Sequence, residues 1–202
     1  MSSAEAPDPR PLAGEPLALD LLNTQWLASG RPADLLATDK GTRAWLEAAG
    51  IAAASGPETR QALIAARQAI RDVLAQQAGT GAPGRTEAPG GPEAPGRTEV
   101  LDRLNAVLGH GRLRLSIGPP LRPARTLEAD DPAWQPAVMA AASLLDLLER
   151  APERIRRCQH PACVLWFFDT TRNATRRWCS MATCGNRAKA QRHYHRARQP
   201  LS

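Results

Sequence analysis

No apolar run in this chain is long enough to cross a bilayer: the longest, at residues 137–145, is about half of the roughly 20 residues a spanning helix needs. The first ten residues, MSSAEAPDPR, lack a basic stretch followed by an apolar block, so no secretory leader is legible. There is no Walker loop, GxGxxG, GxSxG or HExxH, which removes the common spelled-out catalytic loops. Lysine is nearly missing, with only Lys40 and Lys189, so the basic charge is almost all arginine. A bias toward GC-rich codons yields the same excess, and no function is read from it. Cysteine is scarce, and all four lie between positions 158 and 184. These absences lead us to expect a soluble, cytoplasmic protein that is not an enzyme. What is present suffices to fold. With 202 residues, 43% apolar and 23% charged, the chain supports one domain with a small module, or two small domains, and wholesale disorder is excluded.

Acidic residues are also missing from one end. Residues 1–151 hold 15 Lys and Arg against 18 Asp and Glu, a balance of −3, whereas residues 152–202 hold 11 against 2, a balance of +9. Such asymmetry describes a basic module that meets a polyanion, joined to a near-neutral body.

Residues 1–14 read as a disordered N-terminus. Residues 80–97, TGAPGRTEAPGGPEAPGR, repeat APGRTE with its continuation at 94–99 and consist of turn formers. They read as a flexible insertion, at about 79–98, within one domain spanning 15–151. In that domain, residues 17–27 form an apolar element, helix or strand. Thr38 can cap a helix ending before Gly50, and Ser55 with Glu58 has capping-box spacing. Leu63, Ala66, Ile70 and Val73 then share a helical face. A helix over 99–108 follows. The alternation in RLRLSI at 112–117 before Gly118, Pro119 and Pro120 predicts a strand and hairpin. Asp131 and Pro132 open a long helix with Val138, Ala141, Leu145 and Leu148 on one face. The fold class is α+β: a mostly helical N-terminal domain with a small β element, plus a C-terminal finger at 152–198.

The finger rests on its cysteines. Cys158-x4-Cys163, fifteen residues, and Cys179-x4-Cys184 form two matched pairs, the spacing of a tetrathiolate zinc site. A short knuckle lets two thiolates reach one ion at about 2.3 Å, and a second knuckle closes the tetrahedron without an open position. One structural Zn²⁺ per chain is expected. Disulfides or unrelated buried thiols are the alternative, and an intracellular setting argues against disulfides. VLWFF at 164–168 is β-prone, residues 170–174 are turn-like, and residues 176–178 lead back to Cys179. Knuckle, hairpin, knuckle and helix together are treble-clef-like, or zinc-ribbon-like. Five of the eight aromatics (Trp166, Phe167, Phe168, Trp178 and Tyr194) fall here and read as its mini-core. His160 either substitutes as a ligand or decorates the turn.

RRWCSMATCGNR at 176–187 resembles the signature of the CGNR zinc-finger family, named for its CGNR run at 184–187. LALDLLNT at 17–24, with DLLAT at 34–38 and AWL at 44–46, resembles the ABATE domain that precedes this finger. The finger resemblance spans about 155–196, and the pair covers nearly the whole chain, with the 80–97 insertion a departure from the family's pattern. The resemblance implies a transcription regulator, stress-induced, or an RNA binder.

On a last helix taken as 186–198, Lys189, Arg192, His193 and Arg196 fall within an arc of about 100°. This stripe is the candidate phosphate-contacting face, with Arg172, Arg176 and Arg177 as further candidates. Ala190, Tyr194 and Ala197 would pack on the hairpin. Arg187 reads as structural, pairing with Asp169 or the metal site. Arg156, Arg157, Arg176 and Arg177 can also offset the −2 charge of a tetrathiolate zinc centre. Asp20, Asn23 and Thr24 sit within an apolar element, as a small-molecule pocket or as caps and core hydrogen bonds. His110 reads as a loop residue. The expected partner is nucleic acid, DNA ahead of RNA, with a homodimer as a further candidate. A protein-interaction or redox-sensing module is the remaining alternative.

Overall fold

Pro16 has no backbone N–H, and the chain turns helical directly after it in α1, Leu17–Leu22. Six residues are too few to hold a helix in water, so burial must hold it. Ala18, Leu19, Leu21 and Leu22 are each no more than 2% exposed. The apolar element at 17–27 is therefore part helix and part strand, since β1, Gln25–Ala28, follows. β1 pairs antiparallel with β2, Arg31–Asp34, with Gln25 opposite Asp34. Ser29 and Gly30 both take positive φ in the turn, 51° and 81°, the geometry of a tight two-residue hairpin. The computed structural model describes residues 8–79 and 96–197, without the side chains of residues 78, 79, 191–193 and 195–197. The expected insertion lies outside the described residues over 80–95.

Thr38 caps α2, Asp39–Ala48, its hydroxyl accepting from Gly41 N at 3.1 Å. Ser55 does otherwise: its hydroxyl accepts from Arg43 Nε at 3.3 Å, and α3, Pro57–Gly79, starts on a proline already set for a first helical turn. Leu63, Ala66 and Ile70 are fully buried, and Leu74 continues their stripe. α4, Arg97–Gly109, adds Val100, Leu104 and Val107 to the core side. β3, Gly111–Gly118, and β4, Arg122–Ala129, form the expected hairpin, with Leu113, Leu115 and Ile117 exposed on it. Asp131 accepts from Ala133 N in the turn that opens α5, Gln135–Arg150. The buried face of α5 is Ala137, Val138, Ala140, Ala141, Leu144 and Leu147; Leu145, expected on it, is 40% exposed. Small alanines let α1 and α3 approach α5 closely, and that contact selects the face from a helix apolar on several sides.

The finger's hairpin is built differently from expectation. The strand β6, Trp166–Phe168, pairs with β5, Ile155–Arg157, which precedes the first knuckle, and residues 176–178 form no strand. Arg156 stands opposite Phe167. Alternation then divides the aromatics between two cores. Phe167, fully buried, packs with the cysteines, while Trp166 and Phe168 join the body's core beside Trp45, Leu63 and Leu144. Trp178 packs partly against the cysteine cluster. Tyr194 and Ala190, expected to pack on the hairpin, are exposed on α6, Asn186–Ala197.

The free edge of β6 is completed by side chains of the body. Asn23 Nδ2 donates to Trp166 O and its Oδ1 accepts from Trp166 N, both at 2.9 Å. Glu15 accepts from Phe168 N at 2.9 Å. Residues 8–14 differ from the expected disorder. Arg10 is buried and donates to Asp8 and to Asp20 Oδ1 at 2.5 Å, and Gly14 N donates to Asp20 Oδ2 at 2.6 Å. Leu12 and Trp26 pack against the cysteine cluster.

Candidate metal centre

Each knuckle is shaped by its own backbone. In the first, Cys158 N donates to Leu165 O at 2.9 Å and Cys163 N to His160 O at 3.0 Å. His160 belongs to this turn: its Nδ1 accepts from Ala162 N at 3.2 Å. In the second, Gly185 N donates to Ser180 O at 3.0 Å, and the Ser180 hydroxyl accepts from Thr183 N. Gly185 leaves room for Met181, whose sulfur would stand 2.7 Å from an added Cβ.

The four sulfurs converge, all within 4.8 Å of one another and all buried. Cys163 Sγ to Cys179 Sγ is 3.7 Å and Cys179 Sγ to Cys184 Sγ is 3.6 Å. A tetrahedron with arms of 2.3 Å has edges of about 3.8 Å, so the spacing fits one zinc ion and no disulfide. The closeness of the sulfurs also couples their ionisation. Hydrogen bonds from Cys163 and Cys179 hold the Cys158 thiol far below its usual range. The bond to Cys158 pushes Cys163 up to about 12 and Cys179 higher still. Sulfurs this close ionise together only around a cation, which this donor set is built to hold.

Around the sulfurs, Arg176 is an internal strut. Its NH2 donates to Cys179 O at 2.5 Å, its Nε to Trp178 O at 3.1 Å, and its guanidinium lies 4.3 Å over the Phe167 ring. It also pairs with Glu15 at 3.5 Å. Its donors therefore face the protein, although the side chain stays 27% exposed. Asp169, fully buried, accepts from Thr171 N, Thr171 Oγ1 and Arg176 N. Burial pushes its carboxyl up, but those bonds outweigh it and hold it below the usual range. Arg187 does not pair with Asp169. It lines a cavity of about 190 Å³ together with Trp26, Cys163, Cys179 and Cys184. Arg177 is exposed, bonded to Gln159 Oε1 at 2.6 Å and stacked 5.4 Å from Trp178. Arg172 and Lys189 are exposed. The side chains of Arg192, His193 and Arg196 lie outside the described residues.

Of the two readings of Asp20, Asn23 and Thr24, pocket or core hydrogen bonds, the structure has the second. Asp20 holds Arg10, Gly14 N and, at 2.9 Å, Trp45 Nε1. Asn23 holds β6, as above. Thr24 Oγ1 donates to Leu21 O and accepts from Arg67 NH1 at 2.8 Å. Arg67 was not singled out in the sequence. Its fork grips Asp34 at 2.6 and 2.7 Å, and nothing local to α3 marks it among the other arginines. His110 stacks on Trp134 at 3.8 Å and meets Asp130 at 3.1 Å, in a loop.

A helical body joined through one shared strand to a four-cysteine metal finger is the class these features define. The model of the ABATE family, described as a putative stress-induced transcription regulator, matches residues 15–150, and that of the CGNR zinc finger matches residues 154–197. The chain belongs to the ABATE family, with a CGNR zinc finger following the domain. No curated protein is a significant match. Among the described residues, no helix is long and apolar enough to cross a membrane.

Proposed function

We propose that the chain is a zinc-dependent nucleic-acid-binding protein, a transcription regulator whose finger contacts DNA. The observation that carries this reading is the charge of residues 152–202, eleven basic side chains against two acidic. A tetrathiolate zinc centre leaves a charge of −2, which two cations offset. Arg176 is bonded inward, yet Arg172, Arg177 and Lys189 remain exposed on a small module. Concentrated, uncompensated positive charge is what a phosphate backbone attracts. Zinc, when bound, supplies a cross-link and charge compensation. The cysteines serve as its ligands, so the protein is read as non-catalytic, working in the cytoplasm beside its nucleic acid.

The test is a titration of the zinc-loaded full chain against mixed-sequence duplex DNA and RNA at several salt concentrations. We expect affinity to fall with salt at a logarithmic slope of about −4 to −5, for roughly five phosphates neutralised. Charge reversal at Arg192 and Arg196 should weaken binding while zinc content stays at one per chain. RNA competing far better than duplex would move the reading to RNA. Salt-insensitive binding, or none to either polymer, would refute it.

A further inference from the structure

We infer that the cleft between α3 and the finger's first strand is a binding site for a small organic anion, a carboxylate or phosphate carried on an apolar body. The cleft has a volume of about 590 Å³ and lies where body and finger meet, a size suited to a small-molecule ligand. Its apolar wall is Leu74 from α3 with Ile155 and Trp166 from the finger's two strands. Arg156 and Arg157 stand beside that wall.

Among the described residues, neither side chain makes a hydrogen bond of the kind that holds Arg154, Arg176 and Arg177. Arg176 also lines the cleft, but its donors go to Trp178 O and Cys179 O. Arg156 Nε pairs with Asp169 Oδ2 at 3.8 Å, too far for a hydrogen bond. Arg156 Nε is buried without a hydrogen-bond partner, while the side chain as a whole is 33% exposed and lines the cleft. Among the described residues no carboxylate lies within ion-pair distance of Arg157. Arg71, one turn before Leu74 on α3 but outside the lining, is half-buried, and its burial with the repulsion of Arg67 and Arg157 outweighs the attraction of Asp34 and Asp72. The lining's one carboxylate, Glu153, is exposed and pairs with Arg154 at 3.9 Å. The site therefore sets Arg157, without a carboxylate partner among the described residues, and the part-exposed Arg156 beside an apolar edge, and arginine's planar fork suits both carboxylate and phosphate.

The proposal does not rest on nucleic-acid binding: Arg156 and Arg157 count in the finger's net charge but are not among the residues assigned to that surface. The probe is 8-anilinonaphthalene-1-sulfonate, an aromatic anion that fluoresces in apolar sites, titrated into the zinc-loaded full chain. We expect saturable binding, displaced by benzoate, decanoate or AMP; which of them displaces it separates carboxylate from phosphate ligands. Arg156→Gln with Arg157→Gln should weaken probe binding roughly tenfold or more, with zinc content and far-UV circular dichroism unchanged. Glu153→Gln should strengthen it by removing the opposing charge. Equal probe affinity in wild type and the arginine pair variant would overturn the proposal, placing the probe elsewhere, such as the exposed hairpin. Displacement by duplex DNA but by none of the three small anions would also overturn it.

Discussion

Asn23→Leu is the sharpest perturbation of the joint between body and finger. The Asn23 side chain is fully buried and makes two hydrogen bonds of 2.9 Å to the N and O of Trp166. Leucine keeps the branched skeleton but is bulkier, so no cavity opens, and any overpacking adds to the cost of two buried backbone groups left without partners. Each such group costs about 1–3 kcal/mol, giving roughly 2–6 kcal/mol for the pair. With a urea dependence of about 1–3 kcal/mol per molar, the unfolding midpoint should fall by on the order of 1–2 M. Unfolding of the zinc-loaded chain is followed by tryptophan fluorescence and, in parallel, by zinc release to a colorimetric chelator. Both midpoints should move together, because Trp166 belongs to the body's core and its neighbour Phe167 to the cysteine cluster. A midpoint within 0.3 M or so of wild type would refute the hydrogen-bond argument, at roughly the smallest shift an extrapolated transition resolves. A large loss of stability with zinc release unmoved would refute the shared strand.

Two further outcomes follow from the same geometry. Stripping zinc with a strong chelator should lower the thermal midpoint of the whole chain by on the order of 10 °C or more; a body that melts unchanged without metal contradicts the packing of Trp166 and Phe168. Arg67→Met tests a buried charge. Burial pushes the Asp34 carboxyl up, but the Arg67 fork and the Gln25 amide outweigh it and hold it below the usual carboxylate range. A depressed carboxylate contributes stability that is complete above about pH 5 and is lost as pH falls below about 4. The stability difference between wild type and Arg67→Met should therefore be constant near neutrality and shrink in acid. Taking the difference cancels the zinc loss that both proteins share, and a gap that widens in acid would defeat the reasoning.

The cysteine set and the Thr38 cap were legible because both are local. Their geometry is written in spacings of three to five residues, within which sequence neighbours are neighbours in space. β5 was not legible: Ile155–Arg157 is three residues with two arginines and no β signature. It becomes a strand only because the first knuckle folds Leu165 back onto Cys158. Residues 8–14 resemble a tail by composition, and only the buried Asp20 explains why Arg10 is held. Asn23 and Asp20 were visible as polar residues in an apolar element, which fits a pocket as well as a core. Their partners settle the matter, and Trp166 lies 143 residues away. Leu145 shows a further limit: on a helix apolar on several sides, periodicity offers more than one face, and the neighbouring helices choose.

The strand shared by the two cores also bears on how the protein is made. Glu15, Asn23 and Trp26 leave the ribosome early, and the backbone they hold or pack near, at 166–168, leaves late. At about 5–20 residues per second, the interval is roughly 7–30 s. During that time Asn23 has no Trp166 to bond, and the apolar surface meant for the finger stays uncovered. The emerging helices can collapse on one another meanwhile, but the closing of this joint must wait until the finger's strand has been made. The nascent chain is most exposed to chaperones and proteases in that interval, before the finger arrives to close it.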